Sequence, residues 1–205
     1  MRQASADLAA GLHHAAVGIP QGLITDPETK EVAGAVRRGG ELVSLEPLEY
    51  ALWAAMLTPL TPVESARLAR VCRWGDPEPL IARLEDQNLA VSIEPEQRMN
   101  DALSRLRPIP LGFGLGNSEG EATRFDIQTA TLTRRSPLTL DPISAMFWWE
   151  FDGATSLREA AEAITSRIPG LPLDRTSAIA ARLACELMRN RMLYLDTFRT
   201  PRGAR

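Results

Sequence analysis

At 205 residues, with 44% apolar and 24% charged side chains, the chain can bury one core or two small ones and is too apolar for disorder to be the default. Its formal charge of −3 argues against a dedicated nucleic-acid binder, and because Lys30 is the only lysine, an anionic partner would meet arginine forks. No apolar run approaches the ~20 residues of a membrane helix, and Met1 to Ala10, with Arg2 and Asp7, lacks a signal-peptide core; a cytoplasmic protein is expected.

Residues 1–17 read as a loosely patterned N-terminal arm. It carries the two histidines, His13 and His14, expected as a surface pair because no third nitrogen or sulfur ligand lies near. Gly22 to Thr25 is a short strand, Asp26 to Thr29 a turn, Glu31 to Val36 a second strand, Arg37 to Gly40 a second turn, and Glu41 to Leu45 a third strand. Helical spacing follows. Pro47 suits a first helical position, and Leu48, Ala51, Leu52, Ala55 and Met56 form one apolar stripe. Thr61-Pro62-Val63-Glu64 is a capping box that starts a second helix, ended by Trp74-Gly75. Asp76-Pro77 opens a third with Leu80, Ile81 and Leu84 inward, and Leu89 to Ile93 closes the unit as a strand. Residues 95–107 are a linker, partly helical by the spacing of Met99, Leu103 and Leu106.

The second half repeats the first. Ile19-Pro20-Gln21-Gly22 returns as Ile109-Pro110-Leu111-Gly112, and Val43 to Glu64 matches the stretch beginning at Leu138 without a gap, Trp53 falling on Trp148 and Glu64 on Glu159. A period near ninety residues suits a small domain rather than a solenoid unit. Leu111 to Gly116, Arg124 to Leu132 and Ser136 to Leu140 are the second set of strands. Asp141 caps a helix with Ile143, Met146, Phe147 and Phe151 in its stripe; Ser156 to Glu159 is a second capping box. Asp174 is expected to cap a longer third helix burying Ile179, Leu183 and Leu187, before a strand at Met192 to Leu195 and a basic tail, 197–205. The fold class expected is α+β: two tandem winged-helix-like domains, 18–94 and 108–196, each a three-stranded meander followed by three helices.

Catalytic signatures are missing. There is no His-Glu-x-x-His, Cys-x-x-Cys or phosphate-binding loop, and Gly112-Phe113-Gly114-Leu115-Gly116 lacks the third fingerprint glycine, so it reads as strand flexibility. Cys72 and Cys185 are expected as buried or partly buried free thiols, and Trp53, Trp148 and Trp149 as packing residues before a ligand platform. No enzyme, cofactor or metal is expected.

Leu138-Thr139-Leu140-Asp141-Pro142-Ile143-Ser144-Ala145-Met146-Phe147-Trp148, then Phe151-Asp152-Gly153 and a third helix ending Asn190-Arg191-Met192-Leu193, resembles the PqqD-like family, the RiPP recognition elements. Leu45-Glu46-Pro47 and Gln87-Asn88-Leu89 are a paler version in the first half. The doubled arrangement also resembles the clamp modules at the front of some peptide-azoline dehydrogenases, without their flavin domain. The resemblance implies a non-catalytic clamp that binds the leader segment of a ribosomally made precursor peptide as an added strand and presents it to a peptide-modifying enzyme.

The groove so implied runs along Glu41, Leu42, Val43 and Ser44 opposite Leu80, Arg83, Leu84 and Gln87, and along Ser136, Leu138 and Thr139 opposite Arg182, Glu186 and Arg189. Pro137 would remove one ladder donor from the second strand. Arg175, Arg182 and Arg189, seven apart, either suit an acidic leader or form a solvated face. A winged-helix DNA-binding regulator is the alternative, disfavoured by Glu78, Glu85 and Asp86 on the first third helix; a scaffold subunit with vestigial grooves is another. An open sheet edge could also pair with a second chain as a homodimer.

Overall fold

In the computed structural model, which describes residues 11–25, 27–94, 99, 101–129 and 137–198, one sequence of elements occurs twice. The first half runs β1 (His13–Ala16), β2 (Ile19–Thr25), β3 (Val32–Arg38), β4 (Glu41–Leu45), α1 (Pro47–Ala55), α2 (Pro62–Cys72), α3 (Glu78–Asp86) and β5 (Ala90–Ile93). After the short α4 (Asp101–Ser104) the second half runs β6 (Arg107–Pro110), β7 (Gly112–Ser118), β8 (Glu121–Thr129), β9 (Leu138–Leu140), α5 (Pro142–Glu150), α6 (Leu157–Arg167), α7 (Leu173–Arg189) and β10 (Leu193–Asp196). The class is mixed α+β with small antiparallel sheets: meanders β2-β3-β4 and β7-β8-β9, and two-stranded ribbons β1-β5 and β6-β10.

The helix starts have local causes. Thr61 and Ser156 each accept the amide of the glutamate three residues on, and Glu64 and Glu159 return the bond to the cap amide. Asp141 accepts from the amides of Ile143 and Ser144, both at 3.0 Å. The exits are alike too. Asn88 and Arg191 sit left-handed at φ 54° and 57°, and the next amides, Leu89 and Met192, reach back to the carbonyls of Leu84 and Leu187 at 2.7 and 2.8 Å. Two expectations move. Asp174 lies inside the first turn of α7, with Pro172 at the cap, and α2 ends at Cys72 because Arg73 itself turns left-handed ahead of Trp74-Gly75.

The Ile-Pro repeat is out of register with the fold. Ile19-Pro20 opens β2, whereas Ile109-Pro110 ends β6, in the ribbon before the meander. Pairing settles the true correspondence. Ala16 faces Ala90 as Pro110 faces Leu193, and Val17 donates to Leu89 as Leu111 donates to Met192, both at 2.8 Å. Ile19 to Gly22 therefore corresponds to Phe113 to Gly116. Both strands carry the same bulge, Pro20/Gly22 and Gly114/Gly116, and the bulge glycines have φ 97° and 101°. Gly116 is thus required by a backbone shape that a Cβ would strain.

Residues 13–16, read as arm, form a strand with no solvent-facing side. Ala16 and Ala90 belong to the core of the first half with Val36, Leu52, Trp53 and Leu84. Ala15, Val17, Val91 and Ile93 belong to the core of the second, with Phe147, Ile164, Leu187 and Leu195. His13 and His14 are accordingly buried, at 0% and 4% exposure, and not a surface pair. His13 Nδ1 meets Arg189 of α7 at 3.2 Å; His14 Nδ1 lies 3.6 Å from Glu85 of α3. The linker contributes Leu103 and Leu106 to the second core, and its last residue, Arg107, begins β6. Cys185 is buried, its thiol pushed up to about 12 by burial, whereas Cys72 is exposed.

One volume exchange ties the halves together. Gly34 pairs with Leu45, and Phe125 with Leu140, so they hold equivalent places. A Cβ on Gly34 would lie 2.0 Å from Cγ and 2.3 Å from Cβ of Tyr50, while Ala145 stands five residues past Leu140 as Tyr50 does past Leu45. The bulk sits on the helix in one half and on the strand in the other. Gly34→Ala should destabilise the protein by ~1–3 kcal/mol through overpacking, and Tyr50→Ala in the same chain should recover part of that loss. Denaturant midpoints of the two single variants and the double variant give the coupling; strict additivity would refute the exchange.

Candidate functional site

β4 and β9 each end their sheet. Among the described residues each is hydrogen-bonded on one side only, to β3 and to β8. Alternate amides and carbonyls of such a strand point outward, the template on which another extended chain adds. The two edges differ in what surrounds them.

On β4, Glu41, Leu42 and Ser44 are exposed and Val43 is half-buried against Val36. Leu42 is 63% exposed. Across from it, Leu80 and Leu84 of α3 are buried in the core, so they support the groove from beneath and do not line it. Arg83 reaches Glu49 of α1, a buried carboxylate, at 3.4 Å. Gln87 follows α3, and its carbonyl accepts from the Arg38 guanidinium, which also lies 3.5 Å from Glu41. Arg83 and Arg38 thus have acidic partners within the chain, and a third arginine, the exposed Arg37, lies across from Leu42 on β3.

The β9 edge is shorter. Ser136 lies outside the described residues, Pro137 precedes the strand, Leu138 is buried, and Thr139 donates to Asp126 at 2.7 Å. Arg175 and Arg182 of α7 are exposed, but Arg189 is not on their open face. Its guanidinium turns toward the first half, to His13 and to Glu64 at 3.9 Å. The row of three is therefore two exposed arginines and one junction residue. Seventeen residues of α7 against nine of α3 place Arg175 on an extension the first half lacks.

Glu186 occupies the place of Arg83, one residue before the buried leucine at the helix exit, and Ser144 the place of Glu49. Burial raises the Glu186 carboxyl to about 7; Arg182 opposes the shift and Asp141 adds to it. Elsewhere the junction lowers carboxylates. The His14 hydrogen bond outweighs burial at Glu85, and at Glu64 burial is outweighed by bonds from Thr61 together with Arg189.

Trp53 and Trp148 are buried, whereas Trp149 is 61% exposed and meets Phe125 edge-on, centroids 5.3 Å apart. Sequence reasoning missed Asp196, Thr197 and Phe198. The buried Asp196 accepts from Arg107 at 2.9 Å and from the Gly39 amide at 2.8 Å, fastening the β3–β4 turn to the end of β10. A charged residue closing an apolar strand was the only available signal. Among the described residues no cluster of three or more His, Cys, Asp or Glu could hold a metal, and no helix is long and apolar enough to cross a membrane.

Comparison with protein-family models, curated proteins and solved structures finds no match to this chain.

The raised Glu186 carboxyl has a definite sign. Its folded pKa lies above the ordinary 4.5, so stability is greatest where the group is protonated in both states and falls as pH rises toward about 7. Glu186→Gln should therefore gain melting temperature over the parent at pH 8 and gain much less at pH 4.5, as read by paired thermal melts. An equal difference at both values would refute the raised carboxyl.

Proposed function

We propose that this chain is a non-catalytic peptide clamp. Its two halves are tandem winged-helix-like units of the PqqD type that bind the leader segment of a ribosomally made precursor and present it to a modifying enzyme. What supports this reading is the terminal position of β4 and β9, each unpaired on its outer side among the described residues. Strand addition takes its affinity from main-chain hydrogen bonds and its selectivity from pockets alongside.

The first half is the better binder. β4 offers five residues where β9 offers three, and its edge carries no proline. With Arg83 held by Glu49 and Arg38 by Glu41, this groove does not call for an acidic ligand. In the second half the exposed Arg175 and Arg182 are the charges left to attract one. A DNA-reading role for α3 is disfavoured by the exposed Glu78 and Asp86, which would face phosphate with negative charge. The exposed Trp149 of α5 favours a further contact, with the modifying enzyme.

Hydrogen exchange tests the clamp. Peptides selected by display against the immobilised full chain should slow exchange of the Glu41–Leu45 amides. Selected peptides that leave β4 and β9 unprotected would overturn the reading, as would salt-sensitive retardation of duplex DNA by the free protein.

A further inference from the structure

The first-half edge has a neighbour from the other end of the chain. A cavity of about 180 Å³ lies among Arg38, Gly39 and Glu41, Asn88, and Thr197 and Phe198. Glu41 is the first residue of β4, and Asn88 lies two residues beyond the end of α3. The cavity therefore stands at one end of the groove between that strand and that helix. A space this small suits a single large side chain and is below the ~300 Å³ at which ligand pockets usually begin.

Its far wall is held firmly. The Asp196 carboxylate takes the amides of Gly39 and Thr197 at 2.8 and 2.9 Å and the Arg107 guanidinium at 2.9 Å. Gly39 has φ 54°, and a Cβ there would lie 2.6 Å from Thr197 Oγ1 and 2.8 Å from the Phe198 carbonyl oxygen. The turn and the terminal segment are thus in backbone contact. Phe198 keeps 42% of its surface exposed and stands between this cavity and a second depression bordered by Asp101 and Arg158.

We propose that the second half completes the binding groove of the first: Thr197 and Phe198 wall a pocket at the head of β4 that takes a tyrosine-like side chain of the bound strand. This rests on the clamp reading and names the side chain it selects. Phe198 supplies a ring for stacking, while the Thr197 hydroxyl and the Asn88 amide supply hydrogen bonds at the polar end. Charge is discouraged because the pocket wall carries one charge of each sign, Arg38 and Glu41 3.5 Å apart, so an ionic side chain of either sign meets a like charge along with an opposite one. Phe198 is a specificity-determining residue contributed by the half that does not own the strand.

The probe is a single residue, N-acetyl-tyrosinamide, titrated into the ¹⁵N-labelled full chain, with N-acetyl-lysinamide and N-acetyl-aspartamide as charged counterparts. The tyrosine probe should shift the amides of Gly39, Glu41 and Asn88 saturably and bind about fivefold more tightly than either charged probe. Phe198→Ala should weaken it by about fivefold, the size of an aromatic contact. Phe198→Tyr, which keeps the ring, should retain it. Absence of saturable shifts, equal binding of a charged probe, or an unaffected Phe198→Ala would each overturn the pocket. The probe adds no strand, so its result is separate from the exchange test: peptides that protect β4 alongside a silent probe remove the pocket alone, and a bound probe without any β4 protection removes the clamp alone.

Discussion

The β1–β5 ribbon is the element on which the rest of the molecule depends. A lone two-stranded ribbon is marginal in water, and this one persists because both faces are covered. Strand alternation sends Ala15 and Val17 into one core and Ala16 into the other, with Val91, Ile93 and Ala90 dividing the same way on β5. The partition has no spare face. Removing either half would bare one side of the ribbon, so the two cores are linked by four-residue strands and not by a flexible joint. His13 and His14 follow the same alternation, which is why neighbours in sequence reach α7 and α3 respectively.

Around that partition the two halves differ by local compensations. Gly34 with Tyr50 becomes Phe125 with Ala145, a transfer of volume from helix to strand. Arg83 with Glu49 becomes Glu186 with Ser144, which removes an ion pair and leaves a carboxyl whose burial raises it to about 7. The bulge at Gly22 and Gly116 is kept, because it sets where each meander bends. Differences gather at the second edge, where β9 is shortened behind Pro137 and α7 is lengthened by two turns.

What the sequence disclosed depends on how local the cause was. Thr61, Ser156 and Asp141 act on amides two or three residues away, and all three caps stand where their spacing puts them. The strand Glu41 to Leu45 is likewise where turn residues on one side and Pro47 on the other confine it. Long-range pairing was not legible. Ile-Pro recurs as letters, but one copy pairs across the meander and the other across the ribbon, a choice made by partners distant in the chain. His13-His14 gave no sign of burial, since a two-faced strand of four residues has no polar side to reveal its period. Arg189 shares a helical row with Arg175 and Arg182, yet heptad spacing drifts around a straight helix, and the His13–Glu64 corner captures the last of the three.

The contrast between the edges bears on function through what normally guards a strand border. Proline, shortness and inward charge are the usual protections, and β9 has two of them. β4 has none beyond Glu41 at its first position, and Leu42 stands in water on it. Such an edge is a liability unless something is meant to sit there. It is also rigid at the end where a ligand would start, because Gly39 is fastened to Asp196 and cannot carry even a methyl group against Thr197. A strand held straight beforehand loses little freedom on pairing, so more of the main-chain hydrogen bonding appears as affinity. The anchoring at the head of the first edge thus comes from the last strand of the second half, while β9, shorter and preceded by Pro137, has no such anchor at its own head among the described residues.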